Sequence, residues 1–170
     1  MTLEAEFLTF SAEKLTQLMG RIDSCVQRLT PEQIWMRAEA NQNAVGNLLL
    51  HLNGNVRQWI LHGVGGQPDL RDRDSEFAAQ GGAAANELLA RLRATVEEAA
   101  TLLRALPAAR LMEHTQNQGY DCTVLAAIYH VVEHFAGHTF QIIYATKLCT
   151  GEDLGFYAHL SGSAPHDPLP

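Results

Sequence analysis

Residues 123–150 read TVLAAIYHVVEHFAGHTFQIIYATKLCT, and this stretch decides the fold. Ile128, Val131, Val132, Phe135, Ile142 and Ile143 recur at helical rather than strand spacing, which predicts one long amphipathic helix. The helix should open at Asp121 or Thr123, run to Thr150 and stop at Gly151, since glycine tolerates the left-handed turn that ends a helix. Within it His130, His134 and His138 stand four residues apart. They therefore share one slowly drifting stripe.

Working outward, three more long helices are predicted. The first runs from about Thr2 to Arg28, with Phe7, Phe10, Leu15, Leu18, Ile22 and Val26 inward. Thr30-Pro31-Glu32-Gln33 follows it with the signature of a capping box, and a short turn leads through Trp35. The second long helix begins near Asn43 as N-cap and ends around His62-Gly63, with Leu48, Leu49, Leu52, Val56 and Ile60 on one face. The third spans roughly Ala83 to Leu106, with Leu88, Leu92, Val96, Leu103 and Leu106 inward, and Pro107 ends it. Between the second and third lies the longest irregular segment, residues 65–82, rich in glycine and charge. A loop of that length in a compact domain often covers a site, and the alternative is a solvated crossover. Residues 108–119 read as a connector, and no strand-like alternation is evident. The expectation is an all-α four-helix bundle with one long crossover loop over residues 1–155, and a C-terminal tail over 156–170 that is mobile from Ser161.

Composition narrows the function. The chain has 170 residues and a formal net charge of −7. Its densest basic stretch, Arg71 and Arg73, alternates with Asp72 and Asp74, so nucleic acid is not the expected partner. No apolar run is long enough to span a bilayer, and the acidic start Met1-Thr2-Leu3-Glu4-Ala5-Glu6 does not read as a signal peptide. A cytoplasmic protein with no membrane partner is expected. Cys25, Cys122 and Cys149 show no CxxC spacing, which favours reduced thiols over a disulfide framework.

The histidines carry the chemistry. Two imidazoles four residues apart on a helix can reach one ion, and neutral imidazole suits Zn, Ni, Fe and Cu. Burying three of them in an apolar helix without partners would be costly. A further ligand must come from another helix, and His51, set in Leu48-Leu49-Leu50-His51-Leu52, is the outstanding candidate. His62 sits beside the helix-ending Gly63, and His114, His159 and His166 lie in connector or tail; all four read as ordinary histidines. Asn55, one turn after His51, and Gln141, three residues after His138, are candidate pocket residues. Tyr129 and Tyr144 read as core or interface aromatics, and Trp35 and Trp59 as packing residues.

Three segments resemble the DinB-like superfamily, in a branch with HLxGN and HxxxHxxQI motifs. They are residues 43–57 around His51-Leu52-Asn53-Gly54-Asn55, the loop run Arg71-Asp72-Arg73-Asp74-Ser75-Glu76-Phe77, and His134-Phe135-Ala136-Gly137-His138-Thr139-Phe140-Gln141-Ile142-Ile143. Lys147 and Gly151-Glu152-Asp153 also match that branch, and the resemblance covers about residues 3–155. It implies a four-helix bundle, often a homodimer, with a divalent metal held by one histidine of the second helix and two of the fourth. On this chain those are His51, His134 and His138, which leaves His130 as a wall or supporting group. The family often has Gly before the Gln, where this chain has Phe140, a residue that narrows the pocket or packs between helices.

Three neutral histidines leave an ion positive and coordinatively open. Some DinB-like members are thiol S-transferases, so the resemblance implies a metal-dependent transfer of a low-molecular-weight thiol to a small electrophile. A metal-dependent hydrolase and a non-catalytic, stress-associated metal-binding protein are the alternatives. His130-Val131-Val132-Glu133-His134 spells HxxEH, a zinc-peptidase pattern, but few residues remain downstream for another ligand and Glu133 is expected off the histidine stripe.

Overall fold

A computed structural model describes residues 2–162 and 169. The chain is mostly helical with a small two-stranded sheet. Helix α1 (Leu3–Val26) starts at Thr2, whose hydroxyl accepts from the Ala5 amide. A short α2 (Pro31–Ile34) carries the anticipated capping box. Thr30 N–H donates to Gln33 Oε1 at 2.9 Å, and Gln33 N–H donates to Thr30 Oγ1 at 3.3 Å. Helix α3 (Val45–Val56) continues as a π-helical segment, Arg57–His62. A short α4 (Arg73–Ala78) follows, then α5 (Ala85–Ala105). A hairpin of β1 (His114–Asn117) and β2 (Tyr120–Thr123) leads into α6 (Val124–Thr150). Gly151 closes α6 at φ 69°, as expected for a left-handed stop.

Packing follows the apolar stripes. Helix α1 lies against α5 and α6, and α3 lies against the same two helices. The four long elements thus neighbour one another in the ring α1–α5–α3–α6. Leu15, Ile22, Leu52, Ile60, Leu92, Leu103, Ile128 and Phe135 fill its interior, each with essentially no exposed surface. Among the described residues, no helix is long and apolar enough to cross a membrane.

Several local expectations need correction. The N-cap of α3 is Ala44, not Asn43, and no side chain caps the first-turn amides; Asn47 Oδ1 instead accepts from the Ala44 amide at 3.1 Å. The connector 108–119 is not featureless. It holds a 3₁₀ turn over Ala108–Met112 and then β1, paired antiparallel with β2 from His114↔Thr123 to Asn117↔Tyr120. The two-residue turn, Gln118-Gly119, has positive φ at both positions (52° and 81°), the arrangement that suits the twist of a tight hairpin. Phe10 is partly exposed rather than inward; Tyr129 and Tyr144 are exposed, so of their two readings, core or interface, only the interface one fits. Trp59 is buried and Trp35 packs against the core, both as expected. The loop 65–82 is partly helical through α4, which packs on α3. In the tail, Phe156 packs on the core, and Gln17 Nε2 donates to the Leu169 carbonyl. The expectation of mobility from Ser161 falls largely on residues 163–168, outside the described residues, as does His166.

Candidate metal centre

Helices α3 and α6 are direct neighbours, and their packing brings the histidines together. Val131, Phe135 and Thr139 point α6 into the core, so the stripe of His130, His134 and His138 runs along the edge of that face, half-buried. From α3, His51 enters the same space and is almost wholly buried. His51 Nε2 lies 3.0 Å from His134 Nε2. The ring centroids are 4.9 Å apart for His51–His134, 5.0 Å for His51–His138 and 4.5 Å for His134–His138. One nitrogen from each of these three rings falls within 4.8 Å of the other two, and the group could hold a metal ion. His130 stands apart: its ring packs on Trp59 at 4.3 Å and is 5.5 Å from that of His134.

The partners of these rings set which nitrogen is free. Glu76 Oε2 lies 2.9 Å from His51 Nδ1. A buried carboxylate can only accept, so Nδ1 carries the proton and Nε2 keeps the lone pair facing the cluster. Arg71 Nη2 also passes 3.1 Å from Nδ1, but the shorter contact to the carboxylate decides the tautomer. On α6, His138 Nδ1 donates to Gln141 Oε1 at 2.8 Å, which leaves its Nε2 free. His134 Nδ1 is buried with no partner, and its Nε2 meets His51. A tetrahedral ion with bonds of about 2.0–2.1 Å separates two ligand nitrogens by about 3.3–3.4 Å. Without an ion, His134 Nε2–H donates to the His51 Nε2 lone pair; with the His134 proton moved to Nδ1, three neutral imidazoles present converging nitrogens, a donor set that fits such an ion.

Electrostatics agree. Burial, reinforced by the neighbouring histidines and Arg71, pushes His134 down to about 3. Burial also lowers His138 against the opposing hydrogen bond to Gln141, and lowers His130. These rings therefore stay neutral near pH 7, the form a metal requires. Burial alone would raise Glu76; the hydrogen bonds and charges of Arg71 and His51 together outweigh it and hold the carboxyl below its ordinary value.

Sequence reasoning missed this buried support. Arg71 grips Glu76 bidentately, Nε to Oε1 at 2.8 Å and Nη2 to Oε2 at 2.9 Å. The backbone of α4 is fastened to α3 by Asn47 Nδ2, which donates to the carbonyls of Glu76 at 2.9 Å and Ala79 at 2.8 Å. Arg37 Nη2 donates to the Ala79 carbonyl at 2.7 Å. Phe77 lays its ring 4.7 Å from His51. The clues in sequence were the family-like run Arg71–Phe77, which holds both partners, and Gly54, a helix-interior glycine where a Cβ would overlap Glu76 Oε1.

The remaining candidates sort cleanly. Gln141 supports His138. Asn55 is buried with its side-chain oxygen unpaired and makes no described hydrogen bond to the cluster. His130, Glu133, His134, Gly137, His138 and Gln141 line a shallow, open cavity of about 360 Å³. Glu133 is exposed at its rim. A second cavity of about 420 Å³ borders Arg71 and Glu76 but reaches no histidine. Phe140 is half exposed and lines neither cavity. His62 Nδ1 donates to the Gln67 carbonyl, and His114 pairs with Asp121 at the surface. His159 lies near Tyr157. All three cysteines are free thiols.

Fold and site together define a mostly helical protein with a three-histidine cluster able to take a metal ion. The family model described as "Protein of unknown function (DUF1572)" matches residues 2–161, and the chain belongs to that family. No curated protein matches the chain.

Proposed function

We propose that this protein is a DinB-like four-helix bundle that binds a divalent transition metal (Zn, Ni or Fe) through Nε2 of His51, His134 and His138. In this reading it transfers a low-molecular-weight thiol to a small electrophile. The observation that carries the reading is the set of converging imidazole nitrogens beside an open cavity, with no carboxylate among the candidate ligands. A bound divalent ion there supplies Lewis acidity that favours thiolate over thiol near neutral pH.

The chain's residues do the rest. His51, His134 and His138 hold the site, and Gln141 orients His138. The thiol proton is released to solvent through the open cavity, and His130, packed on Trp59, forms part of that cavity's wall. The sulfur forms a bond to the electrophilic carbon, and the leaving group departs with the electron pair of its bond. The acidic chain and the small cavity favour a small substrate over a polymer. Exposed Phe140, Tyr144 and Leu148 on α6 support a homodimer through that helix. Cytoplasmic thiol pools suit such a reaction.

A hydrolase is the second reading, favoured by Glu133 at the rim of the same cavity, where it could serve as general base to a water. The test is a pair of assays, thiol transfer to a panel of electrophiles and ester or amide hydrolysis, on protein loaded with zinc and on the same protein after chelation. Transfer that requires both thiol and metal is expected. Hydrolysis that is lost in Glu133→Gln would favour the second reading, and inactivity in every state would leave a non-catalytic metal-binding protein.

A further inference from the structure

We propose that Glu76, clamped by Arg71, is a positioning residue that presets the tautomer and rotamer of His51 for metal binding; this rests on the metal reading above. The carboxylate reaches His51 from α4, in the loop between α3 and α5, and is buried along with both its partners. A buried ion pair of this kind is a poor source of net stability, because desolvation offsets the attraction. Its geometry is better explained by what it does to the ring. Both carboxylate oxygens are engaged, Oε1 by Arg71 Nε and Oε2 by Arg71 Nη2 and His51 Nδ1. Glu76 therefore cannot turn to become a ligand itself. It holds a proton on Nδ1, and the lone pair of Nε2 is aimed at His134. Carboxylates that orient ligand histidines this way typically change metal affinity about 10- to 100-fold.

Three features keep the carboxylate in place. Arg71 Nη1 is itself anchored on Gln58 Oε1 at 2.9 Å, so the guanidinium is braced from behind. Asn47 ties the Glu76 backbone carbonyl to α3. Gly54 leaves the space that Oε1 occupies. On α6, by contrast, His138 is oriented by a neutral, exposed amide one turn away. The loop over residues 65–82 is in this account part of the metal site rather than a solvated crossover.

Two variants test this. Glu76→Gln keeps shape but offers one acceptor where Arg71 and His51 need two. Gly54→Ala leaves the charge intact and displaces Oε1, at a helix-interior position where alanine ordinarily stabilises. Co²⁺ affinity is measured by chelator competition. The His51 ring tautomer is read from imidazole ¹⁵N shifts in metal-free protein, and folding is followed by far-ultraviolet dichroism. The expected result is a roughly 10- to 100-fold loss of Co²⁺ affinity in both variants, with helicity retained and the Nδ1–H form of His51 lost in Glu76→Gln. Unchanged Co²⁺ affinity and tautomer in both variants, even with a lowered melting temperature, would reduce the pair to a structural ion pair and overturn the proposal. A wild-type chain that takes up no cobalt, while its tautomer still follows Glu76, would sink the metal reading and leave the positioning of His51 standing.

Discussion

The two sides of the histidine cluster are built on different principles. On the α3 side, His51 is held by tertiary ties: a buried carboxylate, a bidentate guanidinium and an amide that staples α4 to α3. On the α6 side, His134 and His138 are placed by helix periodicity alone. One has no partner for Nδ1, and the other leans on Gln141 a turn away. The difference shows where order comes from. Spacing of four residues supplies two candidate ligands at no cost in tertiary structure. The third must be aimed across an interface, and it carries the burden of buried charge.

The largest expected effect follows from that burden. Arg71→Ala leaves the Glu76 carboxylate buried without its main counter-charge, and removing one partner of a buried pair costs about 3–5 kcal/mol. Urea unfolding of the metal-free variant should show this loss. A change under about 1 kcal/mol, the range of surface pairs, would mean that the α3 side is no more tightly built than the α6 side.

Acid should then weaken the α6 side first. His134, His138 and His130 bind protons less readily in the folded chain than their ordinary value of 6.5. As pH falls through 6.5, the unfolded chain gains protons that the folded chain refuses. Stability is therefore full above pH 6.5 and declines toward about 3, where His134 protonates in place. The slope is at most about 1.4 kcal/mol per pH unit for each such histidine. Glu76 acts in the same sense lower down, because its depressed carboxyl loses its contribution as pH drops below 4.5. Denaturation midpoints of the metal-free protein between pH 8 and 4 check this, with His134→Phe expected to flatten the curve. A pH-independent midpoint would contradict the burial of these rings.

The smallest effect belongs to Gln141. Its amide is exposed and neutral, so Gln141→Ala should weaken metal binding by about 10-fold or less, at the low end for an orienting group. A larger loss than that of Glu76→Gln would reverse the comparison between the two sides.

The parts of this molecule that were legible in sequence are the locally coded ones. Helices α1, α5 and α6 follow from apolar periodicity, and their ends from Thr2, Pro107 and Gly151. The cluster of His51, His134 and His138 followed from a tandem spacing and from a histidine set among leucines, with family resemblance choosing among the four. The hairpin was not legible because both strands are polar and short, so they show no alternation, and the Gln118-Gly119 turn lacks a strong dipeptide signal. The α3 cap misled because the helix starts one residue later, at Ala44, which has no polar side chain to cap with, and the reciprocal bond from Asn47 to the Ala44 amide leaves no cap signal at Asn43. The Arg71–Glu76 clamp was hidden because it joins residues 20 and 25 positions beyond His51. No local pattern encodes the return of α4 onto α3.

The most direct test of the central claim is metal titration of the untagged protein and of His51→Ala, His134→Ala, His138→Ala and His130→Ala, with Co²⁺ absorption reporting geometry and elemental analysis reporting stoichiometry. One ion per chain is expected in the wild type, with an affinity loss of more than about 100-fold, beyond the range of an orienting residue, in each of the first three variants. His130→Ala should keep its affinity. Retained binding in His138→Ala with loss in His130→Ala would show that the wrong pair on α6 was assigned, and a wild-type chain that binds no metal would contradict a metal role for the cluster.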